Sequence, residues 1–159
     1  SSEGWQALQR RELRASLAKF KAAVSKEPEN DAALNGFGWA HLHLGEHDEA
    51  IEIFKKVLKI TPDHPGAING IGQSLLTLGK LDEAEKTLLE ATNSLIERYG
   101  ESVTVKRGMT ASWVGLIRVY LEQGDRGQAT EWAKRYLKHK PDDEIVESLL
   151  EQALASGSS

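Results

Sequence analysis

The stretch that decides the fold is ALNGFGWAHLHLG, residues 33–45, which returns 34 residues later as AINGIGQSLLTLG, residues 67–79. Both copies contain Asn-Gly-x-Gly, a pattern found in phosphate-binding loops, in Asn-Gly hairpin turns and in helices that use glycine for packing. The wider alignment separates these readings. Residues 31–64 and 65–98 align without gaps, with ten of the 34 pairs identical, and a third copy follows 45 residues later. A period in this range predicts a stack of helical units, each of which buries its apolar face against the next.

The residues around the repeat favour helices throughout. Leu13, Leu17, Phe20 and Val24 follow helical spacing, and no stretch alternates at period two for long enough to form a sheet. A dinucleotide loop or a P-loop follows a strand, and a hairpin needs strands on both sides, so both readings of Asn-Gly-x-Gly fail. Prolines predict helix ends before Pro28, Pro62 and Pro141, and glycines predict turns at Gly45, Gly79 and Gly124. We therefore expect seven or eight short helices.

Composition narrows the function classes. The 159 residues include 40% hydrophobic and 28% charged residues, which is ordinary for a soluble protein, and no apolar run is long enough for a membrane span. The net charge of −4 argues against nucleic acid as a partner, and the basic residues between 10 and 21 are interpreted as a solvated helix face. No signal peptide and no cysteine are seen. The cytoplasm is slightly favoured, while a periplasmic or secreted location stays open, because the sequence can be a fragment.

The three copies carry a recognisable family pattern, W-x2-L-G-x2-Y followed by A-x3-F and then P within 34 residues. The first copy matches it at Leu34, Phe37, Gly38, His41, Ala50, Phe54 and Pro62. The third copy matches it at Trp113, Leu116, Ile117, Tyr120, Ala129, Ala133 and Pro141. The middle copy lacks the closing proline. On these residues the chain, from about residue 8 to 142, resembles the tetratricopeptide repeat family.

The resemblance implies an all-α, right-handed superhelical solenoid of antiparallel helix pairs with a C-terminal capping helix. We expect one domain, 1–159, with a partial unit at 8–30, repeats at 31–64, 65–109 and 110–142, and the cap at 143–156. The middle repeat is longer, as in kinesin light chains. Its second helix is expected to reach about Tyr99, with GESVTVKRG as a loop. In the cap, Ile145, Leu149 and Leu150 are expected on the buried face.

The same resemblance implies a concave groove lined by the first helices of successive units. The predicted partner-binding residues are Asn35, Trp39, His43, Asn69, Gln73, Thr77, Arg118 and Glu122. Asparagine amides can donate to and accept from a peptide backbone, and Trp39 offers a large apolar contact. Some family members hold a C-terminal carboxylate with lysines, an arginine and asparagines. Trp39 and Val114 stand where such polar groups are wanted, so a mixed apolar and amide groove is favoured.

The remaining motifs do not indicate an enzyme. HLGEH, residues 43–47, matches a zinc-peptidase pattern, but Gly45 is expected to separate His43 and His47 onto different helices. We therefore predict no catalytic residue, no metal ligand and no cofactor, and a small hydrolase or metal site is the weakest alternative. The leading hypothesis is a non-catalytic module that binds another protein or a peptide. The alternative is self-association through the N-terminal apolar stripe or the long second helix of the middle repeat.

Three glycines inside predicted first helices, Gly36, Gly70 and Gly115, share one repeat position. Glycine costs about 1 kcal/mol against alanine in a helix interior, so the position needs an explanation. One hypothesis is a smooth strip that lets a ligand approach the groove. The other is close packing between neighbouring first helices.

Overall fold

The protein is described by a computed structural model that covers residues 2–155. In this range the chain forms nine α-helices and no strand. They are α1 (Ser2–Lys26), α2 (Asp31–His43), α3 (His47–Ile60), α4 (Pro65–Thr77), α5 (Leu81–Tyr99), α6 (Glu101–Lys106), α7 (Ala111–Gln123), α8 (Arg126–His139) and α9 (Glu144–Leu154). None of these helices is both long enough and apolar enough to cross a membrane. The all-α prediction is confirmed.

The predicted helix boundaries agree closely with the structure. Helices α1, α3 and α8 end two residues before Pro28, Pro62 and Pro141. Gly45 and Gly79 have φ angles of 81° and 72°, in the left-handed region that glycine enters without steric cost. Each glycine stands in the turn that follows a first helix. The long helix α5 ends at Tyr99, as expected.

The helices fall into two compact units, one reaching to Leu78 and the other starting at Gly79. The first, unit 1, contains α1 to α4. In it α1 packs against α2, α3 packs against both α2 and α4, and α2 packs against α4. The aromatic ring of Phe54 is the centre of this core and is fully buried.

The second unit, unit 2, contains α5 to α9. Helix α7 packs against α5, α8 and α9, and α8 also contacts α6 and α9. Its core is built around Trp113, whose ring meets those of Trp132 and Tyr136 edge-on at 5.3 and 5.8 Å between centroids. The indole Nε1 of Trp113 donates to the carbonyl of Trp132 at 2.9 Å, so the buried polar edge is satisfied.

Two predictions about unit 2 are wrong. The segment GESVTVKRG is not a loop, because its residues 101–106 form helix α6, which buries Thr104 and Val105. The signal was weak because six residues give less than two helical turns of periodicity. In the cap, Ile145 is 58% exposed, and Val146 is the fully buried residue beside Leu149 and Ala153. Asp143 caps α9 by accepting from the amides of Ile145 and Val146, which fixes this rotation of the helix. Residue 156 of the predicted cap lies outside the described residues.

The glycines at the shared repeat position pack against the second helix of the preceding pair. A Cβ on Gly36 would lie 2.3 Å from the ring of Phe20, and a Cβ on Gly70 would lie 2.3 Å from the ring of Phe54. At Gly115 the neighbour is Leu88, at 3.2 Å. The smooth-strip hypothesis is therefore wrong. The glycines do allow close packing between helices, but each one faces the preceding second helix rather than a neighbouring first helix.

Candidate functional site

Unit 1 contains six of the eight predicted binding residues, on the adjacent helices α2 and α4. Asn35, Trp39 and His43 follow a four-residue spacing along α2, and Asn69, Gln73 and Thr77 follow the same spacing along α4. Residues four apart lie on one side of a helix, so each set forms a stripe. We call these six residues the α2–α4 face.

The α2 stripe is partly built into the core. The ring of Trp39 meets that of Phe54 edge-on at 5.7 Å between centroids, and it also contacts the ring of His43 at 5.6 Å. Asn35 points toward the first turn of α4, because a Cβ on Gly66 would lie 3.0 Å from both its amide atoms. The Asn35 Oδ1 atom is buried and accepts no hydrogen bond from the part of the chain that the structure describes. A buried acceptor of this kind costs about 1–3 kcal/mol unless a ligand or water satisfies it.

The α4 stripe is open to solvent. Asn69, Gln73 and Thr77 are all exposed, as is His43 on α2. The Thr77 hydroxyl donates to the Gln73 carbonyl at 2.8 Å, within the helix. The stripe therefore offers two carboxamides, each able to donate and accept hydrogen bonds, without a net charge.

The other two predicted residues lie in unit 2. Arg118 and Glu122 are exposed and one turn apart on α7. Arg118 also lines a shallow groove of about 370 Å³ between α7 and α9, which we call the α7–α9 groove. Its other lining residues are Glu144, Ile145, Ser148, Leu149 and Gln152. The exposed Ile145 is thus a groove residue that the sequence pattern placed in the core.

Unit 2 also holds a charged cluster that the sequence analysis missed. Arg135 donates from Nε and Nη2 to Glu101 Oε1, and His139 Nε2 lies 2.8 Å from Glu101 Oε2. The Arg135 guanidinium is stacked over Trp132, 4.3 Å from the ring centroid. Burial opposes the charge on Glu101, but the bonds from Arg135 and His139 outweigh it and hold the pKa of that carboxyl below its ordinary value. The cluster connects α6 to α8, so its role is structural. The only signals in the sequence are Glu101 at the start of α6 and the four-residue spacing of Arg135 and His139 on α8.

The zinc-peptidase reading of HLGEH is not supported by the geometry. His43 is the last residue of α2 and His47 is the first residue of α3, as expected, so no continuous helix carries both. Among the described residues, no group of three or more His, Cys, Asp or Glu side chains is arranged to hold a metal ion.

Both units are thus stacks of short helices joined by tight turns, with small residues where a second helix meets the following first helix. This is the architecture of an α-helical repeat protein. Three family models, each described as tetratricopeptide repeat, match residues 2–65, 44–95 and 110–135. The chain belongs to the tetratricopeptide repeat family.

Solved structures show the same fold at low sequence identity. A crystal structure of MamA is 19% identical, with a TM-score of 0.64, over 94% of this chain and 76% of that chain. PilF of Pseudomonas aeruginosa is 20% identical, with a TM-score of 0.67, over 96% of this chain and 65% of that one. The first such domain of Spaghetti (RPAP3), bound to the HSP90 peptide SRMEEVD, is 19% identical, with a TM-score of 0.58, over 77% and 91%. No curated protein sequence matches the chain.

Proposed function

We propose that this protein is a non-catalytic binding module that holds an extended, uncharged peptide segment of another protein on the α2–α4 face. The tetratricopeptide fold generally mediates protein–protein interaction, and its members are typically not enzymes. The observation that carries the proposal is the exposed, uncharged stripe of α4, with carboxamides at Asn69 and Gln73, beside the aromatic rings of Trp39 and His43 on α2.

The chemistry of the face favours a neutral ligand. An extended peptide presents backbone N–H and C=O groups alternately, and the carboxamides of Asn69 and Gln73 can pair with either. Trp39 and His43 add aromatic surface at the edge of the stripe. The RPAP3 domain is described with SRMEEVD, an acidic peptide. The α2–α4 face contains neither lysine nor arginine, so we expect such an acidic peptide to bind poorly here.

A selection from a random peptide library tests this proposal. Peptides selected on the wild-type protein are measured by fluorescence anisotropy against an Asn69→Ala/Gln73→Ala variant. Both residues are exposed, so the substitutions leave the core intact. We expect at least about tenfold weaker binding, equivalent to about 1.4 kcal/mol.

The matched control is a Lys56→Ala/Lys59→Ala variant, which changes two exposed residues of α3 and should bind the peptides like the wild type. SRMEEVD is included as the acidic comparison. Equal affinity for both double variants would show that the α2–α4 face is not the binding surface. Preferential binding of SRMEEVD would show that the ligand is acidic.

A further inference from the structure

Helix α1 contains the end of a first helix and a whole second helix, fused without a turn. Residues 4–30 align with residues 38–64 without gaps. The identical pairs are Gly4/Gly38, Trp5/Trp39, Leu8/Leu42, Glu12/Glu46, Phe20/Phe54, Lys21/Lys55 and Pro28/Pro62. In the later copy the chain turns at Gly45, which has a φ of 81°. The corresponding residue is Arg11, and a non-glycine residue in this conformation costs about 1 kcal/mol or more, so α1 continues as a helix.

The fused helix leaves apolar side chains exposed that are packed in the later copy. In α2 and α3, Leu42 is 4% exposed and Phe54 is fully buried against the Trp39 ring. The corresponding Trp5 and Leu8 on α1 are 68% and 44% exposed. The first half of α1 therefore carries the contact surface of a first helix, and no second helix among residues 2–155 packs on it.

The second half of α1 has an apolar surface that is incompletely covered, like that of a second helix without its first helix. Phe20 is covered by Gly36 of α2 on one side, but it is only half-buried. Ala23 is half-buried as well, whereas its counterpart Val57 is fully buried. A shallow groove of about 330 Å³ runs beside Lys19, Ala22 and Ala23 on this side of α1. The surface that α2 covers on α3 is thus open on α1.

We propose that a second copy of this chain covers the open surface beside Phe20 and Ala23, through an antiparallel pairing of the two α1 helices. Trp5 and Phe20 lie at equal distances in sequence from a midpoint between Glu12 and Leu13. A two-fold axis at that midpoint brings Trp5 of each copy against Phe20 of the other. Each end of the pair then repeats the Trp39–Phe54 contact of the α2–α3 pair. Such an exchange of identical elements is a low-cost route to a symmetric dimer.

The pairing is compatible with unit 1. Residues Trp5, Leu8, Glu12, Ala15 and Lys19 recur at three- and four-residue intervals, the spacing of a helix–helix seam. Leu13, Leu17 and Val24, which form the stripe toward α2, lie about a third of a turn away. Lys19 stands where α3 has Ile53, and its alkyl stem can cover apolar surface while the ammonium reaches water.

Light scattering of the whole chain across a concentration series up to about 1 mM tests the proposal. We expect the mass to rise from 17.5 kDa toward twice that value. Trp5→Ala should raise the dimer dissociation constant about 30-fold or more, because it removes a large aromatic contact at both ends of the pair, whereas Gln6→Ala on the adjacent face should not. Arg11→Gly should also favour the monomer, because it restores the turn residue and lets residues 2–10 fold back onto α1 of their own chain. A constant mass of 17.5 kDa, or dimers that survive Trp5→Ala, would overturn the proposal.

Disulfide trapping gives an independent test, because the chain has no cysteine of its own. Glu12→Cys lies beside the proposed axis on the seam and should form a covalent dimer under mild oxidation. Arg14→Cys, about half a turn away around the helix, should remain monomeric. Equal yields from both variants would contradict the antiparallel seam.

Discussion

Replacing Gly70 with alanine should destabilise the protein although alanine is the better helix former. The added Cβ would lie 2.3 Å from two ring atoms of Phe54, well inside van der Waals contact. The ring has little room to move, because it is fully buried and a Cβ on Gly38, on its other side, would lie only 2.6 Å away. Overpacking of this kind costs about 1–3 kcal/mol. The 2.3 Å approach to a buried ring places the cost in the upper part of that range, about 2–3 kcal/mol, and alanine returns about 1 kcal/mol of helix propensity, so we expect a net loss of about 1–2 kcal/mol in the free energy of unfolding.

Gly115→Ala is the matched control for this prediction. Its Cβ would meet only the flexible end of Leu88, at 3.2 Å, so the propensity gain offsets the contact and stability should change by less than about 0.5 kcal/mol. Both variants are compared with wild type by thermal unfolding followed by circular dichroism. The loss at Gly70 corresponds to a fall in Tm of about 2–8 °C. A Gly70→Ala protein as stable as the wild type would refute the steric reasoning.

Two further predictions concern unit 2. Because the pKa of Glu101 is lowered in the folded state, its contribution to stability is present above the ordinary value of 4.5 and is lost as the pH falls through the lowered value. Glu101→Gln should therefore lower Tm at pH 6, by the equivalent of about 1 kcal/mol at most, and its difference from the wild type in thermal unfolding should shrink as the pH is lowered from 4.5; a constant difference would contradict the assignment. Val146→Ala should lower the free energy of unfolding in urea by about 2 kcal/mol, because Val146 is fully buried. Ile145→Ala should lower it by less than about 0.5 kcal/mol, because Ile145 is 58% exposed. A larger loss for Ile145→Ala would show that α9 buries the face predicted from the sequence.

Helix positions could be predicted from the sequence because proline and glycine impose local backbone limits that do not depend on tertiary contacts. Pro62 cannot continue α3, and Gly45 adopts a φ that other residues avoid. The face that a short helix buries is harder to predict than its ends. In α9, Ile145 and Val146 are neighbours of similar hydrophobicity, so periodicity over eleven residues does not decide between them. The Asp143 side chain decides, because it caps both amides and its own carboxylate accepts from the Tyr136 hydroxyl at 2.7 Å.

The candidate site was only partly predictable for a related reason. A period of 34 residues identifies equivalent positions such as Asn35 and Asn69, but it does not say that the first is half-buried with its Oδ1 atom inaccessible and that the second is exposed. The difference comes from Gly66, whose missing side chain lets Asn35 approach the first turn of α4. Likewise, the Arg135–Glu101 pair joins residues 34 apart that share no motif, and α6 must first be placed before the pair can be seen.

Each glycine at the shared repeat position faces a large side chain on the preceding second helix, so the two residues are matched in size. Sixteen residues separate Phe20 from Gly36 and Phe54 from Gly70, and the same equivalent positions in the longer middle repeat are Leu88 and Gly115. As the ring becomes a leucine, the distance to the added Cβ relaxes from 2.3 to 3.2 Å. At the next equivalent pair the sizes are reversed, with Ala133 on α8 and Leu149 on the capping helix α9, both buried. Because a glycine faces a large side chain at the first three of these steps, substitution of one member alone creates either a clash or a cavity. A Phe54→Leu/Gly70→Ala double variant should therefore lose less stability than the sum of the two single losses. The leucine would give the added Cβ at position 70 a wider spacing, like the 3.2 Å between Leu88 and a Cβ on Gly115. Additive losses in urea unfolding would show that the glycine is kept for a reason other than the size of the side chain that it faces.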